Sequence, residues 1–437
     1  MSTLHRVVLT LLFFTLSNNF TFAQTAVDSV RVPLKFLQKI SPRTGRPGEF
    51  TLGGKTSNAG LTAKSATSGI PGIDSVVNWS DQFTAPGFAS DGSPQSVWPY
   101  TMVGNPPESG IPSLIGAPIV PVSLDLLGPD GKVAVFQGTP LHFAPQPSIV
   151  NAVVASPIFE PWFYTSGIGQ FNDQMMRAQF WDRIHANHFD NGWHNILFPR
   201  VRTARNIQVP FGSWFFATDD QGVPVAALVD EQAFGDLLFP STTPVDNSTP
   251  IGAAELAGEI NTRDISSFLF HNVFLYKGNV NTCCVLGFHT FDVEPGDKKN
   301  GDRTRLFVSI FASWVDPGLF VSGFEDITPL SHEIAETFNN PFGINATPFW
   351  LSTDPVFGDI CQNNLEVGDV IENKTNNPLF AISMNGRTYH PQNEALFSWF
   401  AFQAPSHARL KAYSFPDETT LTALSPGPLL PGCKLAQ

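Results

Sequence analysis

Thr328-Pro329-Leu330-Ser331-His332-Glu333-Ile334-Ala335-Glu336-Thr337-Phe338-Asn339-Asn340-Pro341 is the stretch on which the reading of this 437-residue chain turns. Thr328 is a good N-cap, Pro329 suits a first turn, and Asn340-Pro341 stops a helix, so the spacing predicts a short helix of about three turns. On it His332 and Glu336 stand four apart, on one face, where both reach a single ion; Glu333 leans over the same place. This is the mechanical logic of the H-E-x-x-H zinc helix with Glu in place of the second His. His332 and Glu336 are therefore expected to hold Zn²⁺, and Glu333 to take a proton from the water that attacks a peptide carbonyl.

Upstream the text is strand-like. Leu306 to Trp314 is an apolar run of buried-strand length, and Asn281 to Thr290 reads as a strand with Val285-Leu286-Gly287-Phe288-His289 at its centre. If that strand borders the helix, His289 is placed to donate to a developing oxyanion. Ile119 to Leu127 alternates, Gly128-Pro129-Asp130-Gly131 is a turn, and Lys132 to Phe136 returns as a hairpin. Phe171 to Trp181 has helical spacing, with Met175 and Met176 as core filler. His185, His188 and His194 follow at irregular intervals that make no ligand pattern.

Composition sets the outer limits. Phe is abundant at 39 residues, while 37 Pro and 35 Gly interrupt most apolar runs, which predicts short strands, many turns and few long helices. The formal net charge of -13 argues against nucleic acid and anionic membrane surfaces as partners. Residues 1–23 run from Arg6 through an apolar core to Thr21-Phe22-Ala23, a cleavable secretory signal too short to span a bilayer; no later apolar run has membrane length. The expected location is extracellular, or periplasmic in a diderm host. Sequons at Asn78, Asn247, Asn345 and Asn373 acquire meaning only in a eukaryotic secretory route. In an oxidising compartment Cys283, Cys284, Cys361 and Cys433 suggest disulfides, with Cys283 and Cys284 tied to Cys361 and Cys433 in either order, because a bond between neighbours closes a strained ring. Residues 24–95, rich in Gly, Ser, Thr and Pro, are expected to form a loose N-terminal extension or pro-segment, followed by one domain over 96–437.

The helix, Gly358-Asp359-Ile360-Cys361, Met384-Asn385-Gly386, Phe397-Ser398-Trp399-Phe400, the upstream Cys284-Val285-Leu286-Gly287-Phe288-His289 and the C-terminal Cys433 together resemble the secreted phosphate-induced (EXORDIUM-like) family. The resemblance spans roughly residues 280–437, in order. It implies an extracellular protein and a zincin-like α+β fold: a mixed, twisted sheet, an edge strand before the metal helix, an acidic third ligand after it, and a Met-containing turn below. The family commonly has Glu three residues before the Asp of its D-x-C element; here Val356 stands there. Asp359 is thus the expected third ligand, with Glu366, Asp369 and His390 as alternatives. Such a first shell of His332, Glu336 and Asp359 around Zn²⁺ is neutral, so it acidifies water less than three histidines do.

The expected function is that of a secreted zinc metallopeptidase acting on a peptide or protein. The rival is a non-catalytic extracellular protein, associated with a cell-wall component, that keeps the scaffold. A carbohydrate-active enzyme is the third class, for which the aromatic row Trp162-Phe163-Tyr164 would be the platform. No phosphate cradle or G-x-S-x-G elbow occurs.

Overall fold

The computed structural model describes residues 26–45, 69–240, 247–321, 323–353, 359–372, 374 and 378–435. The expected signal peptide and the sequon at Asn373 lie outside them. The protein is α+β and strand-rich. Its centre is a mixed sheet built on five strands, β1 (Ser113–Leu126), β2 (Asn195–Val201), β3 (Ile265–His271), β4 (Gly287–Glu294) and β5 (Thr304–Trp314). Their spatial order is β2-β1-β3-β5-β4, with Arg205–Val209 and His142–Phe143 added along β1 and Ile73–Asp74 along β5. Strands β2, β1, β3 and β5 run parallel, whereas β4 is antiparallel to β5.

The period-2 alternation of β5 explains how the layers form. Leu306, Val308, Ile310, Ala312 and Trp314 enter one core; Phe307 and Phe311 enter the core on the opposite face. The first core is closed by α1 (Phe171–Gln179) and α2 (Thr328–Asn339), where Met175 and Met176 of α1 meet Leu330, Ile334, Ala335 and Phe338 of α2. Those four α2 residues follow helical spacing, so α2 turns an apolar stripe to the core and leaves His332, Glu333 and Glu336 on other faces. All three are nevertheless fully buried.

Several expectations change at this level. The boundary expected near residue 95 is not one: Asn78–Phe88 and Pro94–Val103 form a hairpin whose Trp79, Trp98 and Tyr100 are buried in the α2 core. Polar, Gly-rich spelling hid aromatic residues spaced for a sheet face. The hairpin expected after Leu127 closes its turn, Gly128 N donating to Lys132 O and Ala134 N to Leu126 O, but β1 pairs mainly in parallel with β2 and β3. The cysteine pairing also differs. Cys283 is bonded to its neighbour Cys284, and Cys361 to Cys433. The sheet of Ile360–Asn364, Ala346–Ser352, Leu429–Leu430 and Lys434–Leu435 gathers Cys361 and Cys433 in one place, while Cys283 and Cys284 sit in a separate core with Leu37 and Phe274. Asn78 and Asn345 are buried, and Asn345 donates to the backbone of Thr101 and Asn339, so neither sequon is open to a glycan.

Candidate metal centre

The site lies where α2, the edge strand β4 and the segment Leu365–Glu372 meet. Alternation along β4 sends Phe288 to the aromatic core and His289 to the α2 face. Gly287 lets the helix come close, since a Cβ there would lie 2.9 Å from Glu333 Cγ. Gly368 does the same for the third element: a Cβ would lie 2.4 Å from the His332 ring. Two glycines are thus required by close approach at this site.

Two overlapping sets of donors result. In the first, His332 Nε2 lies 3.0 Å from Glu336 Oε1 and 3.7 Å from Asp369 Oδ1. In the second, His289 Nδ1 lies 3.2 Å from Glu333 Oε2 and 3.5 Å from Glu336 Oε2, and its Nε2 is 3.9 Å from Glu366 Oε2. His332, Glu333 and Glu336 form one group able to surround an ion; His289, Glu336 and Glu366 form another, and His332, Asp369 and Glu372 a third. Glu336 belongs to two of them and faces both imidazoles.

Surrounding hydrogen bonds orient the donors. Gln392 accepts from His332 Nδ1 at 3.1 Å and donates to Gly368 O, leaving His332 Nε2 aimed at Glu336. Glu336 Oε1 accepts from the backbone N–H of Gly368 and Asp369, and Asn340 Nδ2 donates to Glu366 Oε1. Supporting contacts of this kind fix ring orientation and tautomer at metal sites. Several atoms remain with no hydrogen-bond partner although buried: His289 Nε2, Glu333 Oε1, Glu336 Oε2, Glu366 Oε2 and both carboxylate oxygens of Glu394. Buried polar atoms of native proteins are nearly always satisfied, so a concentration of open lone pairs is what a cation site offers.

The electrostatics agree with that reading. Burial pushes Glu366 and Glu394 well above the usual carboxylate range, Glu336 and other acids reinforcing it in both. Burial also pushes Glu333 up to about 7, with His289 and His332 opposing. Glu336 goes the other way: burial alone would raise it, but the two imidazoles hold it below the usual range. Burial works against charge on His289 and His332 too, yet the surrounding carboxylates hold both well above an ordinary histidine. Protons are the counter-charge the chain itself provides; a divalent cation would displace them. Two imidazoles among carboxylates suit zinc by the nitrogen donors and harder divalent ions by the oxygens.

Of the residues expected from sequence, His332, Glu336, Glu333, His289, Glu366 and Asp369 converge here. Asp359 does not. It is exposed before Ile360–Asn364, a strand that carries the chain away before it turns back at Leu365. His390 is also elsewhere, its Nδ1 2.7 Å from Asp326 Oδ2 and 3.1 Å from Glu325 Oε1 near the start of α2. Sequence reading missed Glu372, one further three-residue step in Glu366-x-x-Asp369-x-x-Glu372, and Glu394, for which no local signal exists. It also missed Thr44, buried, whose Oγ1 lies 2.7 Å from His332 Nε2 and donates to Glu372 Oε2 at 3.0 Å. His194 pairs with Asp173, and His185 stacks on Trp181. Tyr164 turns inward against Phe171 and Phe415, so Trp162-Phe163-Tyr164 presents no continuous row of rings.

No family model matches this chain, and no curated protein or solved structure matches it.

Proposed function

We propose that this protein is an exported, metal-dependent peptide hydrolase built on a zincin-like scaffold, with zinc as the first choice of ion. The observation that carries the reading is the convergence of His332 Nε2, Glu336 and Asp369 beside buried carboxylate and imidazole atoms that have no hydrogen-bond partner. The resemblance to the EXORDIUM-like family belongs to the same proposal, with Glu366 and Asp369 as the acidic element in place of Asp359. Further support comes from the sheet, whose outer strand β4 is antiparallel to its neighbour and borders the helix. The two disulfides are compatible with export, and among the described residues no helix is long and apolar enough to cross a membrane.

In this reading His332, Glu336 and Asp369 hold the ion, while Glu366 and Glu372 stand close enough to complete or alter the set. When bound, the ion supplies a Lewis acid that polarises a carbonyl and acidifies water. Glu333 borders the same group of donors, and its Oε1, which has no hydrogen-bond partner, is open to accept that proton as a general base. His289, anchored through Nδ1 to Glu333, presents Nε2 to a developing negative charge.

Complete burial of the cluster favours a second reading, a non-catalytic extracellular or cell-wall protein with a structural ion. One pair of measurements separates them. Metal analysis should find close to one zinc per wild-type chain and none in His332→Ala under either reading. Hydrolysis of a generic protein substrate should be detectable in a zinc-loaded chain carrying Arg43→Pro and Gly45→Pro, which frees Thr44 from His332, and fall by about 10²–10⁴ when Glu333→Gln is added with zinc retained. No hydrolysis by that zinc-loaded chain would leave the structural reading; a wild type that binds no divalent ion would remove both.

A further inference from the structure

The cluster is fully buried, and the chain's own N-terminal segment is one of the pieces packed against it. Residues Ser41 to Gly45 lie along the chain leading into β4 as an additional extended partner. Arg43 N donates to Cys284 O at 3.0 Å, Leu286 N donates to Arg43 O at 2.8 Å, and Gly45 N donates to Gly287 O at 2.7 Å. Arg43 pairs with Val285 in parallel sense. Between those backbone bonds, Thr44 points inward: its hydroxyl meets His332 Nε2 and Glu372, and its N–H donates to Glu372 Oε2 at 3.0 Å. Upstream, the segment is tethered where Arg31–Pro33 pairs with Phe216–Thr218, and Leu37 is buried.

Alternating backbone bonds to a strand, with one side chain dropped into a pocket of reactive groups, are the way an extended peptide is bound by strand addition. We propose that the Cys284–Gly287 edge is a track for an extended polypeptide and that Ser41–Gly45 is a self-bound occupant of it, keeping the centre latent until displaced. The inference rests on the hydrolase reading for what happens to the bound peptide, but the track itself does not. It names the ligand class: an unfolded or loop segment lying parallel to Cys284–Gly287, with a small hydroxyl-bearing side chain at the place of Thr44, which is fully buried between His332 and Glu372. It also accounts for complete burial in a site meant for a polymer, since a tethered occupant competes at an effective concentration on the order of millimolar.

The track can be tested in the full-length chain by weakening the occupant through its backbone. The double variant Arg43→Pro, Gly45→Pro removes the two N–H donors to Cys284 and Gly287 and leaves every residue of the cluster in place. The probe is a fluorescent peptide with the sequence of residues 38–45, followed by anisotropy. At about 50 μM it should not bind the wild type and should bind the variant one to one. A variant that keeps the wild-type thermal transition and binds no peptide overturns the proposal. If the variant does not fold, hydrogen exchange in the wild type decides. The Leu286 amide, held by Arg43, should exchange at least about tenfold faster than the Ser313 amide, which is held by Leu286 O inside the sheet. Equal rates through global unfolding alone would mean the segment is a permanent part of the sheet. Failure of the hydrolase reading looks different, since peptide would bind the variant whether or not it holds metal; metal without peptide binding would remove the track alone.

Discussion

Strands β4 and β5 have two buried faces that could hardly be less alike. On one face Phe311 packs against Phe234, Phe270 and Phe288 with ring centroids 4.9, 5.1 and 5.3 Å away. On the other, one residue along, His289 is enclosed by Glu333, Glu336 and Glu366. Water is excluded from both. The aromatic face gains from that exclusion, through apolar burial and edge-to-face contacts. The charged face loses by it, because each ionised group gives up hydration that only a counter-charge replaces. One face therefore stabilises the fold by itself, and the other costs stability unless a counter-charge offsets it.

If that contrast is right, the two faces respond oppositely to metal. The largest effect is expected at the cluster. Zinc at about a thousand times its dissociation constant should stabilise the wild type by about 4 kcal/mol over the chelator-treated protein, and His332→Ala should abolish that increment, as measured by denaturant unfolding. Phe311→Ala should cost about 3–5 kcal/mol, and the same amount with zinc or with chelator. A loss that changes with metal would show that the faces are coupled. Glu394→Gln goes the other way in chelator: replacing a buried acid whose charge is disfavoured should leave stability unchanged or raise it by about 1 kcal/mol. A large loss there would mean that Glu394 is satisfied by a contact essential to the fold.

The smallest effect sharpens the comparison from outside the cluster. His390 is held above its ordinary value by its hydrogen bond to Asp326, with burial opposing. Because the folded value is the higher one, the contribution is fully present below about 6.5 and fades as pH rises through the folded value. The stability difference between wild type and His390→Gln should therefore shrink between pH 6 and pH 9. A difference that grows would reverse the assignment.

The helix was legible because its signals are local: a proline at the start, Asn-Pro at the end, and a His-Glu-x-x-Glu spacing that the α-helical period converts directly into proximity. The buried run of β5 was legible for the same reason, being a short pattern that needs no partner to be recognised; the strand carrying His289 was legible only in part, since it was expected over Asn281–Thr290 and runs from Gly287 to Glu294, with Val280–Thr282 in a 3-10 turn. Asp359 was misjudged because a loop acid has no period, and its place depends on where the chain turns next. Glu366 and Asp369, only a few residues on, are the acids that the turn after Asn364 brings back beneath α2, and Gly368 is what permits the approach. Glu394 and Thr44 were beyond reach. They arrive from 62 residues after and 288 residues before His332, by pairings that only the folded chain defines.

The cysteines show the same division. Their even number and the expected oxidising setting pointed to disulfides, but partner choice followed the sheet that gathers Cys361 and Cys433 and leaves Cys283 with Cys284. By itself, the sequence determined the helix, its His-Glu-x-x-Glu spacing, the strand-rich class and the acidic balance, since these depend on residues within a turn or two of one another. The tertiary structure decided which acids join His332, how completely they are dried, and that the chain's own N-terminal segment lies across them. Those outcomes rest on long-range strand pairing, and no local preference encodes it.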